Sequence, residues 1–239
     1  MAEMNCPEGK RKAIAEIIAE GKPQRPADKF DYTSFRGFDR KIMIVRDPRD
    51  NLISRLLYHP CATAAFRADR AKIAVFLNTL RCKEADPRSV SVVELMDWFH
   101  FLTGLCRRVW LTMMYDTALD FHRANDEFVV CKYEDFIAGR NGTIGDYLGI
   151  PLPAGEAVVT ARYQHVVRTK SAHNWKDWFT PDDVDYFAPY LKPFMAAYGY
   201  ADDWGLAEKP HINPAHTSEF VRRSVAIRQA QELSHAQAA

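Results

Sequence analysis

The sequence predicts an α/β fold in which a parallel sheet is joined by crossover helices. Three observations carry that expectation. Two short apolar runs, KIMIV at 41–45 and EFVVC at 127–131, are rich in β-branched residues and read as buried parallel strands. Long stretches with apolar residues three and four apart lie between and after them, as amphipathic helices require. The chain has 239 residues, 47% hydrophobic and 26% charged, enough to bury a sizeable core.

Taken in order, residues 10–20 (KRKAIAEIIAE) have helical periodicity, and Pro23 and Pro26 make the following stretch a loop. After the strand at 41–45, Asp47 and Pro48 open a helix over about 48–58. Asp47 is its cap, Pro48 its first residue, and Asp50 can complete the turn. A second helical stretch spans about 62–83, and a long helix starts near Ser91, where Ser91 and Glu94 form a capping box. Its apolar stripe runs from Leu95 through Leu105 and Cys106 to Met113. Beyond the strand at 127–131, Gly149 and Pro151 close a short helix. Thr180 then caps a helix that begins with Pro181 and ends near Gly199, in one piece or broken near Pro189 and Pro193. The domain expectation is one α/β unit over 1–205 and a peripheral, partly helical tail over 206–239: a docked helix, a partner-binding arm or a frayed end.

Composition narrows the function classes. The net charge of +1 offers no global field for nucleic acid or an anionic membrane, so any basic site must be local. Five cysteines without CxxC spacing suit the reduced thiols of a cytoplasmic protein. His59 and Cys61 are neighbours, but no second pair completes a zinc site, and no metal is expected. No apolar run reaches membrane-spanning length, and MAEMNCPEGKRK has no signal-peptide core.

The stretch IMIVRDPRDNLISRLLYH, residues 42–59, holds the most informative pattern. In open α/β sheets ligands bind beyond the carboxyl ends of strands, and Arg46 sits at such an end. Ser54 lies two helical turns past the cap, on the same face. A guanidinium and a hydroxyl beside a helix start make a phosphate receptor. The same residues also allow a purely structural reading, with Arg46 paired to Asp47 or Asp50 and Ser54 bonded to a carbonyl of its own helix.

RDPRDNLIS (46–54) resembles the 3′-phosphate-binding motif of the sulfotransferases that use 3′-phosphoadenosine 5′-phosphosulfate (PAPS). That motif has an arginine at a strand end, a proline two residues later and a serine eight residues after the arginine. The resemblance implies that Arg46 and Ser54 hold the ribose 3′-phosphate. FVVCKYEDF (128–136) is similar to the family's next strand, which implies that Tyr133 packs near the adenine. The segment 168–200 resembles the family's C-terminal part, a basic loop, a tryptophan, and a helix ending in Gly-Tyr. Arg168, seven residues before Trp175, takes the place of an arginine that binds the 3′-phosphate, with Lys170 as a second cation. Glycines common in that loop are absent at Lys170 and His173. The matches run in the family's order from 41 to 200. They imply a P-loop-NTPase-like parallel sheet, PAPS as donor, a small-molecule or carbohydrate acceptor, and no nucleic-acid partner.

The N-terminus departs from the family. Its phosphosulfate loop reads roughly Pro-Lys-Ser-Gly-Thr-Thr after a central strand. Here Cys6-Pro7-Glu8-Gly9-Lys10 puts Glu8 at the lysine position, lacks both hydroxyl residues, and follows no apolar run. Between Gly21 and Arg40 there is no histidine; Asp28, Asp31 and Asp39 are available and none stands out, so no catalytic base is assigned. A missing N-terminal piece, a strand supplied by a partner chain (a homo-oligomer among the options) or a degenerate family member with a reduced sheet would each account for this. The alternative function is a non-catalytic nucleotide-binding or interaction protein of the same fold. A kinase-like phosphate enzyme would need GxxxxGK[ST], which does not occur.

Overall fold

The structure, a computed structural model, describes residues 38–103, 107–152, 169 and 171–238. The expected helix at 10–20, the loop after it and the Cys6–Lys10 stretch lie outside the described residues.

Strand β1 (Ile42–Val45) pairs in parallel with β2 (Val129–Lys132), Ile42 opposite Val129 and Val45 opposite Lys132. Both strands fall on the expected apolar runs. A parallel pair needs a long crossover, and the elements described in it are all helices: α1 (Pro48–Ala62), α2 (Ala64–Arg67), α3 (Arg70–Ala85), α4 (Val92–Thr103) and α5 (Arg107–Ala124). The fold is therefore broadly α/β but mostly helical, with a sheet of two strands among the described residues. Side chains alternate across a strand. Met43 and Val45 pack on the core, while Ile44, on the other face, is 64% exposed.

Helix α1 runs through the middle of the core. Leu52, Ile53, Leu56, Leu57 and Cys61 are all buried, because α1 meets neighbours on several sides rather than one. The helix expected over 62–83 is two helices. Asp69 leaves the helical region and caps α3 by accepting from the Lys72 N–H at 3.0 Å. The capping box at Ser91 forms as read: Glu94 N–H donates to Ser91 Oγ at 2.9 Å, and Ser91 N–H to Glu94 Oε2 at 2.8 Å. The stripe positions Leu105 and Cys106 lie outside the described residues.

After β2 come α6 (Tyr133–Ile137), α7 (Gly142–Leu148), α8 (Trp175–Trp178) and α9 (Pro181–Ala197). Helix α9 continues unbroken through Pro189 and Pro193. An interior proline costs on the order of 3 kcal/mol, offset here by burial of Phe187, Leu191, Phe194 and Met195. Asp183, fully buried, accepts from Thr180 N–H at 2.8 Å, Val92 N–H at 2.9 Å and Val93 N–H at 2.9 Å. One carboxylate thus caps both α9 and α4. Helix α9 ends in a Schellman turn: Gly199 is left-handed (φ 64°), and Tyr200 N–H donates to Met195 O at 2.8 Å.

The C-terminal helix α10 (Ser218–Ala238) is docked against α1 and α3, with Phe220 and Val221 buried in the common core. Glu84 of α3 caps it through Ser218 N–H at 2.8 Å and Ser218 Oγ at 3.0 Å. No described helix is long and apolar enough to cross a membrane.

Candidate functional site

The chain turns from β1 into α1 at Arg46 and Asp47, and the helix start is built from outside as well as inside. Asp47 accepts from Arg49 N–H at 3.0 Å, and Pro48 at the first position has no N–H in need of an acceptor. Asp47's own N–H donates to Glu134 Oε1 at 2.9 Å, and Glu134 Oε2 accepts from Tyr200 Oη at 2.9 Å. Burial, with the Glu134 charge beside it, pushes the Tyr200 hydroxyl well above the ordinary phenol range, so it stays a donor. The turn after α9 therefore reaches back to hold the end of β1 through a residue at the end of β2.

Arg46 does not pair with Asp47. That carboxylate is taken by Arg49, with Nη2 to Oδ2 at 2.7 Å and Nε to Oδ1 at 2.9 Å. Arg49 is in turn stacked over Trp175 at 4.1 Å and Trp204 at 5.1 Å from the ring centres, and donates to Asp203 O. Arg46 instead donates from Nη1 to Ser54 Oγ at 2.9 Å, and its guanidinium lies 4.6 Å from the Tyr133 ring centre. Three residues predicted from sequence, Arg46, Ser54 and Tyr133, are brought together at the ends of β1 and β2. Arg46 Nη2 makes only a long 3.5 Å contact with Ser171 O, and the buried Arg46 Nε has no partner among the described residues.

Arg168 and Lys170 lie outside the described residues. Ser171, which is described, reaches the cluster through its carbonyl. The Thr169 and Ser171 hydroxyls are 2.6 Å apart and Ser171 Oγ donates to Asn174 Oδ1 at 3.0 Å. The buried amide nitrogen of Asn174 has no acceptor among the described residues. His173 takes a left-handed backbone, φ 65°, where a glycine would be unstrained; for a side-chain-bearing residue this costs about 1–3 kcal/mol.

Asp50, fully buried, holds the 171–175 segment. Its Oδ2 accepts from His173 N–H at 2.6 Å and its Oδ1 from Trp175 N–H at 3.0 Å. Burial raises the Asp50 carboxyl above the ordinary value, opposed by the Arg46 charge and by the two backbone N–H groups.

Two buried donors without a partner among the described residues, Arg46 Nε and Asn174 Nδ2, with hydroxyls at Thr169 and Ser171 nearby, suit an oxyanion with several acceptor oxygens. A cation would meet donors there. Among the described residues no group of three or more His, Cys, Asp or Glu is placed to hold a metal. The sequence named Arg46, Ser54 and Tyr133 as candidates but gave no role to Glu134, Ser171 or Asn174. It placed Asp50 in the first turn without its distant partners. Neither link has a local signal, because Glu134 lies 87 residues from Asp47, and Trp175 lies 125 from Asp50. Comparison with protein-family models, with curated proteins and with solved structures gives no match to this chain.

Proposed function

We propose that the protein is a sulfotransferase that takes a sulfuryl group from PAPS and passes it to a hydroxyl or amine of a small-molecule or carbohydrate acceptor. In this reading Arg46 and Ser54 hold the ribose 3′-phosphate, Tyr133 lies beside the adenine, and Arg168 and Lys170 add charge at the same phosphate. The observation that carries it is the state of Arg46. It is aimed by Ser54 and Tyr133, makes no direct ion pair among the described residues although the Asp50 carboxyl feels its charge, and has no partner for Nε among them. A structural arginine at a helix start ordinarily pairs with the nearest acid, and here Arg49 takes that acid instead. The proposal includes a P-loop-NTPase-like sheet, of which β1 and β2 are adjacent strands, and a cytoplasmic setting.

Calorimetric titration with 3′-phosphoadenosine 5′-phosphate (PAP) tests the nucleotide grip. Wild-type protein binds PAP, and Arg46→Ala weakens binding about a hundredfold, within the range for removing one side of a buried charged contact. Thermal melts of both proteins separate loss of the site from loss of the fold. Transfer of label from PAPS to an acceptor pool, dependent on Arg46, then assigns catalysis. Binding without transfer assigns the non-catalytic nucleotide-binding alternative, and no PAP binding by wild-type protein rules out both.

A further inference from the structure

We propose that Asp50 is a positioning residue that assembles the anion site by holding the 171–175 segment against Arg46; this rests on the nucleotide reading above. An acid in the first turn of a helix ordinarily bonds back to the N–H of the cap residue. Here that N–H, on Asp47, is already taken by Glu134, so both Asp50 oxygens are available for a distant segment. They accept from the N–H groups of His173 and Trp175, on either side of Asn174.

The left-handed backbone at His173 makes the clamp necessary. Without the carboxylate on its N–H, a histidine with φ 65° relaxes toward ordinary backbone space. Such a rotation carries Ser171 and Asn174 away, because both lie within two residues of it. Ser171 O is the atom that touches Arg46, and Asn174 Nδ2 is a buried donor without a partner among the described residues. Arg46 is held chiefly through Ser54 and Tyr133, its contact with Ser171 O being long. The site is thus made of one half at the carboxyl ends of β1 and β2 with Ser54 of α1, and a second half that Asp50 docks onto it.

Two measurements test this. In wild-type protein, a ligand that needs the clamp closed must itself favour closure, by reciprocity of linked equilibria. Saturating PAP is therefore expected to slow amide hydrogen exchange at His173 and Trp175 at least threefold. In Asp50→Asn, the amide keeps the shape but sets an NH2 group against a backbone N–H. PAP affinity is expected to fall at least tenfold, and His173→Gly added to Asp50→Asn to recover a threefold part of that loss. A merely structural aspartate would give no such recovery, because glycine at 173 relieves only the local backbone.

Exchange at His173 and Trp175 unchanged by bound PAP overturns the inference, even if Asp50→Asn does not fold. So does a folded Asp50→Asn that binds PAP within twofold of wild type. A wild-type protein that binds no PAP overturns the nucleotide reading and this inference with it.

Discussion

Asp47 gives its carboxylate to Arg49, 2.7 Å away, and not to Arg46, its neighbour in the sequence. The pairing skips the residue adjacent in sequence in favour of one two positions on. Trp175 and Trp204 make that choice stable, since their faces hold the Arg49 guanidinium.

Arg49→Met should therefore weaken PAP binding without touching the ligand. With Arg49 gone, Asp47 is a buried carboxylate without its cation, and Arg46 is the adjacent one. We expect about a tenfold loss of affinity by titration, with Arg46→Ala adding less than its usual loss in that background. Full additivity of the two variants would show that the pairs are independent.

Ser54→Ala removes the hydroxyl that orients Arg46 Nη1. A charge-assisted hydrogen bond of this kind is worth about 1.5–3 kcal/mol, so PAP affinity should fall roughly ten- to 150-fold by titration while the protein still melts cooperatively.

Arg88 serves the fold. Its guanidinium donates to Lys176 O at 3.3 Å, Asp177 O at 3.4 Å, Ala207 O at 3.0 Å and Phe179 O. These carbonyls close α8 and tie the chain beyond α9 to it. Arg88→Ala should destabilise by about 2–4 kcal/mol in urea unfolding, because it leaves several carbonyls unsatisfied at once.

Lys83 is fully buried, its ammonium donating to Pro87 O at 2.9 Å and to Val90 O. Burial lowers its pKa from 10.5 to about 8, against the opposing pull of Asp183. Between those values the unfolded chain holds the proton and the folded chain does not, so the unfolded state binds more protons. Stability attributable to Lys83 must then rise as pH goes from about 8 to 10.5. The difference in urea stability between wild type and Lys83→Met should grow by roughly 3 kcal/mol across that window. A flat difference would show that the amine stays charged in the fold.

Gly199→Ala meets no backbone clash, since the nearest atom to the added carbon is Lys132 Nζ at 3.5 Å. The cost is conformational, about 1–2 kcal/mol for a left-handed alanine, read as a lower urea midpoint. Because the same turn delivers Tyr200 to Glu134, PAP binding should weaken in parallel.

Local chemistry was legible in the sequence; long-range chemistry was not. Ser91 with Glu94, and Thr180 with Pro181, announce helix starts within four residues, and both form. The strand runs at 41–45 and 127–131 show their strand character in their composition, but not that Ile44 is exposed and most of both strands only half-buried. The break at Asp69 was hidden because the apolar spacing continues across it. The second duty of Asp183, capping α4 from α9, has no trace in either segment's pattern. For the site, spacing revealed the residues that lie on one helix or at one strand end. The partners that aim them arrive from far along the chain.

The Glu134–Asp47 bond has a kinetic corollary. The N-terminus of α1 is completed by a carboxylate 87 residues downstream, so this turn cannot be finished until the whole helical crossover has folded back and β2 has found β1. Ordering of α1 is thereby coupled to chain closure over a long loop, which lowers the rate at which productive nuclei form. Refolding monitored at the first turn of α1 should accordingly follow strand pairing, although helices by themselves form far faster than sheets.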